Sequence, residues 1–169
     1  TMVITSSGNR NSDIKYYSPA SALDVITVGS TTTRDSRSYF SNYGKNVDIH
    51  APGSDIWGAK SGTNGYISLS GTSMSCPHVA GVVSQIMEKD GCMNLNNVKR
   101  DLLKLGVHNI LSNMQEDTPN ILLQYAGKGE STTRPTYTPT PRPTRPAPTP
   151  HPTRPAPTPR PTHKDILCP

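Results

Sequence analysis

Thirteen of the chain's seventeen prolines fall in residues 131–169, together with ten threonines and almost no large apolar side chain. A segment of that composition cannot bury enough apolar surface to offset the entropy of ordering it. Any packed core must therefore come from the first 130 or so residues. From Pro143 the sequence repeats with a nine-residue period, PTRPAPTPH and then PTRPAPTPR. Such proline density enforces an extended polyproline spacer rising about 3.1 Å per residue. Its threonines suit O-glycosylation as a mucin-like stalk, and its PxxP patterns can instead dock partner domains. We expect a folded part over 1–128, a Pro/Thr/Arg-rich low-complexity linker or stalk over 129–163, and the start of a further segment at 164–169.

Charge divides at the same place. Residues 1–130 carry 11 Lys/Arg and 11 Asp/Glu, whereas 131–169 carry six against one, so the net +5 belongs to the tail. The folded part thus has no basic excess for nucleic acid, and the tail lacks the aromatic interleaving of a single-strand binder. Nucleic acid is not an expected partner. Cys76, Cys92 and Cys168 are spaced too widely for a zinc or redox CxxC motif. Cys76 reads as a small buried thiol, and the other two can pair with cysteines elsewhere. No apolar run approaches the 18 residues of a membrane span. The chain begins at Thr1 with a strand-like run and no signal peptide, as a piece cut from a longer precursor would.

Short β-branched runs at Thr1–Thr5, Val25–Val28, Val47–Ile49 and Tyr66–Leu69 each stop at a glycine-containing turn, which predicts strands. From Ser73, Val79, Val82, Val83, Ile86 and Met87 recur at spacings of three and four, predicting a helix to about Asp90, closed by Gly91. A second helix follows, capped by Asn94 or Asn96 and stopped by Gly106. Val98, Leu102, Leu103 and Leu105 should form its buried stripe. Asn120–Tyr125 is the expected last ordered element. Strands followed by helices predict an α/β fold with a mainly parallel sheet.

Between a strand and that first helix lies GTSMSCPHVAG, Gly71–Gly81, which sets Ser73 at a glycine-flanked turn. A helix start offers unpaired N–H groups and about half a positive charge, so an oxyanion forming beside Ser73 would be stabilised there. A serine here can also simply cap the helix. Asn9, in SSGN, is a second candidate donor, or else a turn residue beside Gly8. His78 cannot serve as the base: five helix steps turn it about 140° from Ser73. It reads as a core or supporting histidine, and His50, in a strand before Ala51-Pro52-Gly53, as a structural one.

GTSMSCPHVAG, SSGN, Tyr17-Ser18-Pro19-Ala20-Ser21, Phe40-Ser41-Asn42-Tyr43-Gly44, Ala51-Pro52-Gly53 and Thr118-Pro119-Asn120 together resemble the proteinase K branch of the subtilisin-like serine proteases, in order over residues 1–126. The resemblance implies a three-layer α/β fold and an endopeptidase acting through an acyl-enzyme, with Ser73 as nucleophile and Asn9 as oxyanion donor. Ser6, Ser7, Gly8 and Thr72 would bind substrate, with serines at 6 and 7 where the family usually has small apolar residues. It implies no cofactor for catalysis. It does imply a structural calcium on the Asp48 carboxylate and the carbonyls of Leu23 and Val25, although Leu23 replaces a proline and Ile26 a disulfide cysteine. The family's Asp and His precede the asparagine, and neither motif occurs here, so the chain reads as the C-terminal part of such a domain, inactive alone. Its expected partners are polypeptide substrates, the N-terminal part of the same domain and a propeptide. A secreted or extracellular setting is expected, with a vacuolar or lysosomal one as the alternative. The competing reading is a pseudoprotease or truncated product that displays or binds through its stalk.

Overall fold

The computed structural model describes residues 2–90 and 94–125. The expectations for Gly91, Cys92, Cys168, the polyproline repeat and the final segment lie outside them. Strands β1 (Ile4–Ser6), β2 (Ile26–Thr31) and β3 (Ile49–Pro52) run parallel, followed in the sheet by β7 (Ile121–Leu122) and β6 (Val107–His108) in the order β1-β2-β3-β7-β6. The pair β6–β7 is antiparallel. A separate antiparallel hairpin joins β4 (Ile56–Ala59) to β5 (Tyr66–Leu69), while α1 (Thr72–Asp90) and α2 (Leu95–Leu105) supply the helices.

All six residues of β2 are buried, as expected of an interior strand covered on both faces. Of its polar members, the Thr27 hydroxyl donates to the Ala20 carbonyl at 2.9 Å and Ser30 is met by the loop that follows. The Ser30 and Ser38 hydroxyls lie 2.8 Å apart, Ser38 and Ser54 2.7 Å apart, and Ser30 N–H donates to Ser41 Oγ at 3.0 Å. Ile26, Val28, Ile49 and Ala51 meet Val79, Val83 and Ile86 of α1 and Val98 and Leu102 of α2 in one core. Burying each such aliphatic side chain contributes about 1.5–3 kcal/mol, so these contacts fix both helices on the sheet.

The parallel α/β architecture agrees with the expectation, and several details differ. The third strand starts at Ile49 and runs through Ala51-Pro52, because the APG segment pairs with Ser30 and Thr31 before turning. The second helix is capped by Asn94, whose side chain accepts from Asn97 N–H, but Leu105 lies 38% exposed at its end, outside the buried stripe. Strands β4 and β6 and a 3-10 turn at Ile14–Tyr16 were not foreseen. Each is short, too short for a periodic pattern to announce it.

His50 lies mid-strand in β3, wholly buried, and its ring rests on Gly29 of β2. A Cβ at position 29 would come within 2.4 Å of that ring, so the two residues form one packed unit. The ring nitrogens have no well-aligned hydrogen-bond partner. Burial, with the Arg37 charge adding to it and the Ile121 backbone weakly opposing, pushes the imidazole down to about 4. The histidine is structural and neutral.

Candidate active site

At the carboxyl end of the parallel strands, β1 leads into Ser7-Gly8-Asn9 and β3 into Gly53, and the start of α1 sits between them. Gly53 has no room for a side chain: a Cβ would lie 2.1 Å from Ser75 Oγ and 2.8 Å from the Gly71 carbonyl. Its own carbonyl accepts from Gly71 N–H at 2.7 Å, which seats the turn that opens α1. Ser73 follows in the first helical turn, exposed, where the helix's unpaired N–H groups point. Pro77, one turn on, lacks the N–H that would otherwise bond the Ser73 carbonyl.

Asn9 is locked to this helix start. Its Oδ1 accepts from Thr72 N–H at 2.9 Å and from Thr72 Oγ1 at 2.8 Å. A backbone N–H only donates, so the amide oxygen must face α1 and Nδ2 is the donor end, beside Gly71. Thr72 Oγ1 also accepts from Gly8 N–H at 3.1 Å. One buried hydroxyl therefore ties the Asn9 turn to the residue preceding Ser73 in the chain. Thr72 thus spends its polar atoms on this lock, and Ser7 donates its hydroxyl to the Asn42 carbonyl at 3.4 Å. Ser6 is half-buried at the end of β1, and Gly8 takes φ +99°, a left-handed conformation that favours glycine.

Asn42, absent from the expected site, clamps the same turn from behind. It is fully buried, and its Oδ1 accepts from Arg10 N–H at 2.9 Å and Ser12 N–H at 3.1 Å. Its Nδ2 donates to the Ser7 carbonyl at 2.8 Å, and its own N–H to the Gly8 carbonyl at 2.9 Å. Four bonds thus bracket Asn9 on both sides. The signal available in the sequence was a polar residue inside Phe40-Ser41-Asn42-Tyr43-Gly44, with nothing local to say which turn it would hold. Buried Arg37 continues the scaffold, donating to Asn11 Oδ1 at 2.9 Å, to the Asn113 carbonyl at 3.0 Å and to the Ser41 carbonyl.

Two expectations near Ser73 are corrected. His78 is exposed rather than in the core, with Nδ1 2.8 Å from the Met74 carbonyl one turn back. Cys76 is half-buried rather than buried, its thiol 3.6 Å from the Ile4 carbonyl and its pKa raised by burial, which keeps it protonated and unreactive.

The residues assigned to calcium lie away from Ser73, at the amino ends of β2 and β3. Asp48 Oδ2 accepts from Thr27 N–H at 2.7 Å, and Oδ1 is 3.0 Å from Lys99 Nζ of α2. That ammonium also approaches the Leu23 carbonyl at 3.5 Å. Val25 is buried just before β2. Among the described residues no group of three or more His, Cys, Asp or Glu gathers to hold a metal. As arranged, Asp48 and Leu23 fit a lysine ammonium rather than a dication.

Residues 1–127 match the family model described as the subtilase family. The chain is 41% identical over 137 residues to alkaline protease 2 of Aspergillus fumigatus, covering 73% of this chain and 27% of that protein. It is 39% identical over 136 residues to cerevisin of Saccharomyces cerevisiae, covering 73% and 21%. The solved structure of a cold adapted subtilisin-like serine proteinase superposes with a TM-score of 0.71 at 39% identity, over 75% of this chain and 45% of that one. The chain spans about a fifth to a quarter of the two curated relatives and just under half of the solved structure.

Proposed function

Because the chain belongs to the subtilase family, we propose that it is the nucleophile-bearing part of a serine-type endopeptidase, with Ser73 attacking the peptide carbonyl. The observation that carries this reading is the Asn9–Thr72 lock. It aims an amide N–H₂ group beside the turn that presents Ser73, at the end of a helix whose N–H groups favour negative charge. As Ser73 Oγ bonds to the carbonyl carbon, its proton passes to a histidine base, and the carbonyl oxygen becomes an oxyanion. That oxyanion lies between the Ser73 N–H and Asn9 Nδ2. Collapse expels the amine and leaves an ester on Ser73, which water hydrolyses. Donors already fixed by the fold cost no reorganisation when the charge appears. No cofactor enters these steps.

The base and its orienting acid must reach Ser73 from outside this sequence. Two features support that. β1 is an edge strand, pairing only with β2 among the described residues, so a further parallel strand can add beside it. The face of α1 that bears Ser73 and Pro77 continues through exposed Gly81 and Ser84, small residues over which another element can close. Polypeptide substrates and the rest of the catalytic domain are the partners this implies, with a propeptide as a third. The setting we favour is secreted, or else vacuolar. Ser6, Ser7 and Gly8 would form one wall of the pocket for the substrate side chain, with Asn42 positioning them.

A fluorophosphonate probe tests this. The full-length protein should label at Ser73, its Ser73→Ala form should not label and should lose about a million-fold in kcat, and the isolated chain should stay unlabelled. Strong labelling of the isolated chain would overturn the requirement for an outside base. An unlabelled full-length protein would make it a pseudoprotease.

A further inference from the structure

We propose that the Lys99 ammonium serves as the structural cation at the amino end of the sheet, so that the Asp48–Leu23 cradle holds without calcium. The cradle joins three separate pieces of chain: the segment before β2, the residue that leads into β3, and α2. Asp48 supplies a carboxylate there with both of its oxygens engaged, Oδ2 by Thr27 N–H at 2.7 Å and Oδ1 by Lys99 Nζ at 3.0 Å. Nζ turns a second N–H toward the Leu23 carbonyl at 3.5 Å. An ammonium has three donors and one positive charge on a compact head, so it can face a carboxylate and a carbonyl together.

The lysine is delivered by packing. Val98, its neighbour in α2, is fully buried in the core that includes Ile26. Apolar contact between α2 and β2 thus holds the helix at the distance from which Lys99 reaches Asp48. The two charged side chains are 19% and 18% exposed, screened from solvent enough to hold one geometry yet still partly hydrated, which limits the desolvation cost.

Calcium and this lysine exclude one another. Calcium takes six to eight oxygens at about 2.3–2.6 Å. An ion that close to Asp48 Oδ1 would share the oxygen with Nζ, and two cations on one oxygen repel strongly in a site so little exposed. Lys99 is tethered to the same molecule and therefore present at high effective concentration, whereas calcium must be drawn from solution.

The test compares the full-length protein with its Asp48→Asn and Lys99→Met forms, each stripped with EDTA and titrated calorimetrically with calcium chloride. Calcium sites elsewhere would contribute equally to all three. The wild type and Asp48→Asn should give the same calcium isotherm. Lys99→Met keeps the aliphatic stem but removes the charge, and should melt about 2–4 °C lower than wild type in EDTA. Millimolar calcium should restore part of that loss in Lys99→Met and none of it when Asp48→Asn is combined with Lys99→Met. A wild-type calcium site that disappears in Asp48→Asn would overturn the proposal, as would a Lys99→Met protein that melts like wild type. Should a variant fail to fold, Lys99→Arg, which keeps the charge, still decides: it should give the same calcium isotherm as wild type, and a wild-type isotherm fitting one more site would count against the idea.

Discussion

The two ends of the parallel sheet are held by different chemistry. At the carboxyl end, Asn9, Thr72, Asn42, Gly53 and Gly71 are joined through neutral hydrogen bonds, most with a backbone group on one side, and glycines stand where no Cβ fits. At the amino end, a charged pair and one carbonyl join Asp48, Lys99 and Leu23. Backbone-directed bonds fix atoms in direction as well as distance, which suits an oxyanion donor that must be aimed before the charge forms. A lysine on a four-carbon stem tolerates small displacements, which suits a tie that need only hold. The chemistry that needs aim sits where the strands end and the helix begins, the usual ligand position of open α/β sheets.

The sharpest way to separate the ends is to alter Asn9 without disturbing its lock. Asn9→Asp keeps the Oδ1 acceptor for Thr72 N–H and Oγ1 and replaces the N–H₂ donor with a carboxylate oxygen. In the full-length protein kcat should fall about 100- to 1,000-fold, the cost of losing one oxyanion donor. KM should hold, and the melting temperature should hold or rise slightly, because a carboxylate is favoured near a helix start. A large fall in melting temperature with kcat preserved would make Asn9 a turn residue and erase the distinction between the ends.

Acid should break both ends together, through the strand that connects them. β3 carries His50 between the flanking residues Asp48 and Gly53, and His50 is held neutral with a pKa of about 4 against an ordinary value of 6.5. The unfolded chain binds the proton first, so the stability this histidine contributes is fully present above pH 6.5 and is lost as pH falls toward 4. About two and a half pH units correspond to on the order of 3 kcal/mol. Denaturant melts between pH 7 and 5 should slope downward, and the His50 ring signal in the folded protein should stay unshifted in NMR over that range. A ring titrating near 6.5 would show that water reaches the strand.

How much of this was legible follows the same division. The nucleophile turn could be found because Gly71, Ser73 and the apolar spacing of α1 are neighbours in sequence, and the fold class because β2 and the helices carry strong local patterns. Asn42 and Lys99 could not, since each acts on residues far along the chain: Asn42 on Ser7 and Lys99 on Asp48, meetings that exist only after the sheet forms. Leu105 was misread for a related reason, since helical period says which residues share a stripe but not how far the core beneath it extends. Thr72 is expected at the substrate, and no local pattern announces that its hydroxyl is also engaged by Gly8 and Asn9.

The smallest expected effect belongs to the amino end and tests whether that end is independent of catalysis. Asn94 caps α2, its side chain accepting from Asn97 N–H at 3.0 Å, one turn before Lys99. Asn94→Ala removes one cap bond at an exposed helix start, a loss of about 1 kcal/mol. Val98 and Leu102 still seat the helix, so Lys99 should remain within reach of Asp48, and the protein should melt a few degrees lower with kcat and KM unchanged. If kcat fell with stability, the amino end would be coupled to the oxyanion turn through β2, and the sheet would have to be treated as one mechanical unit rather than as two ends serving separate tasks.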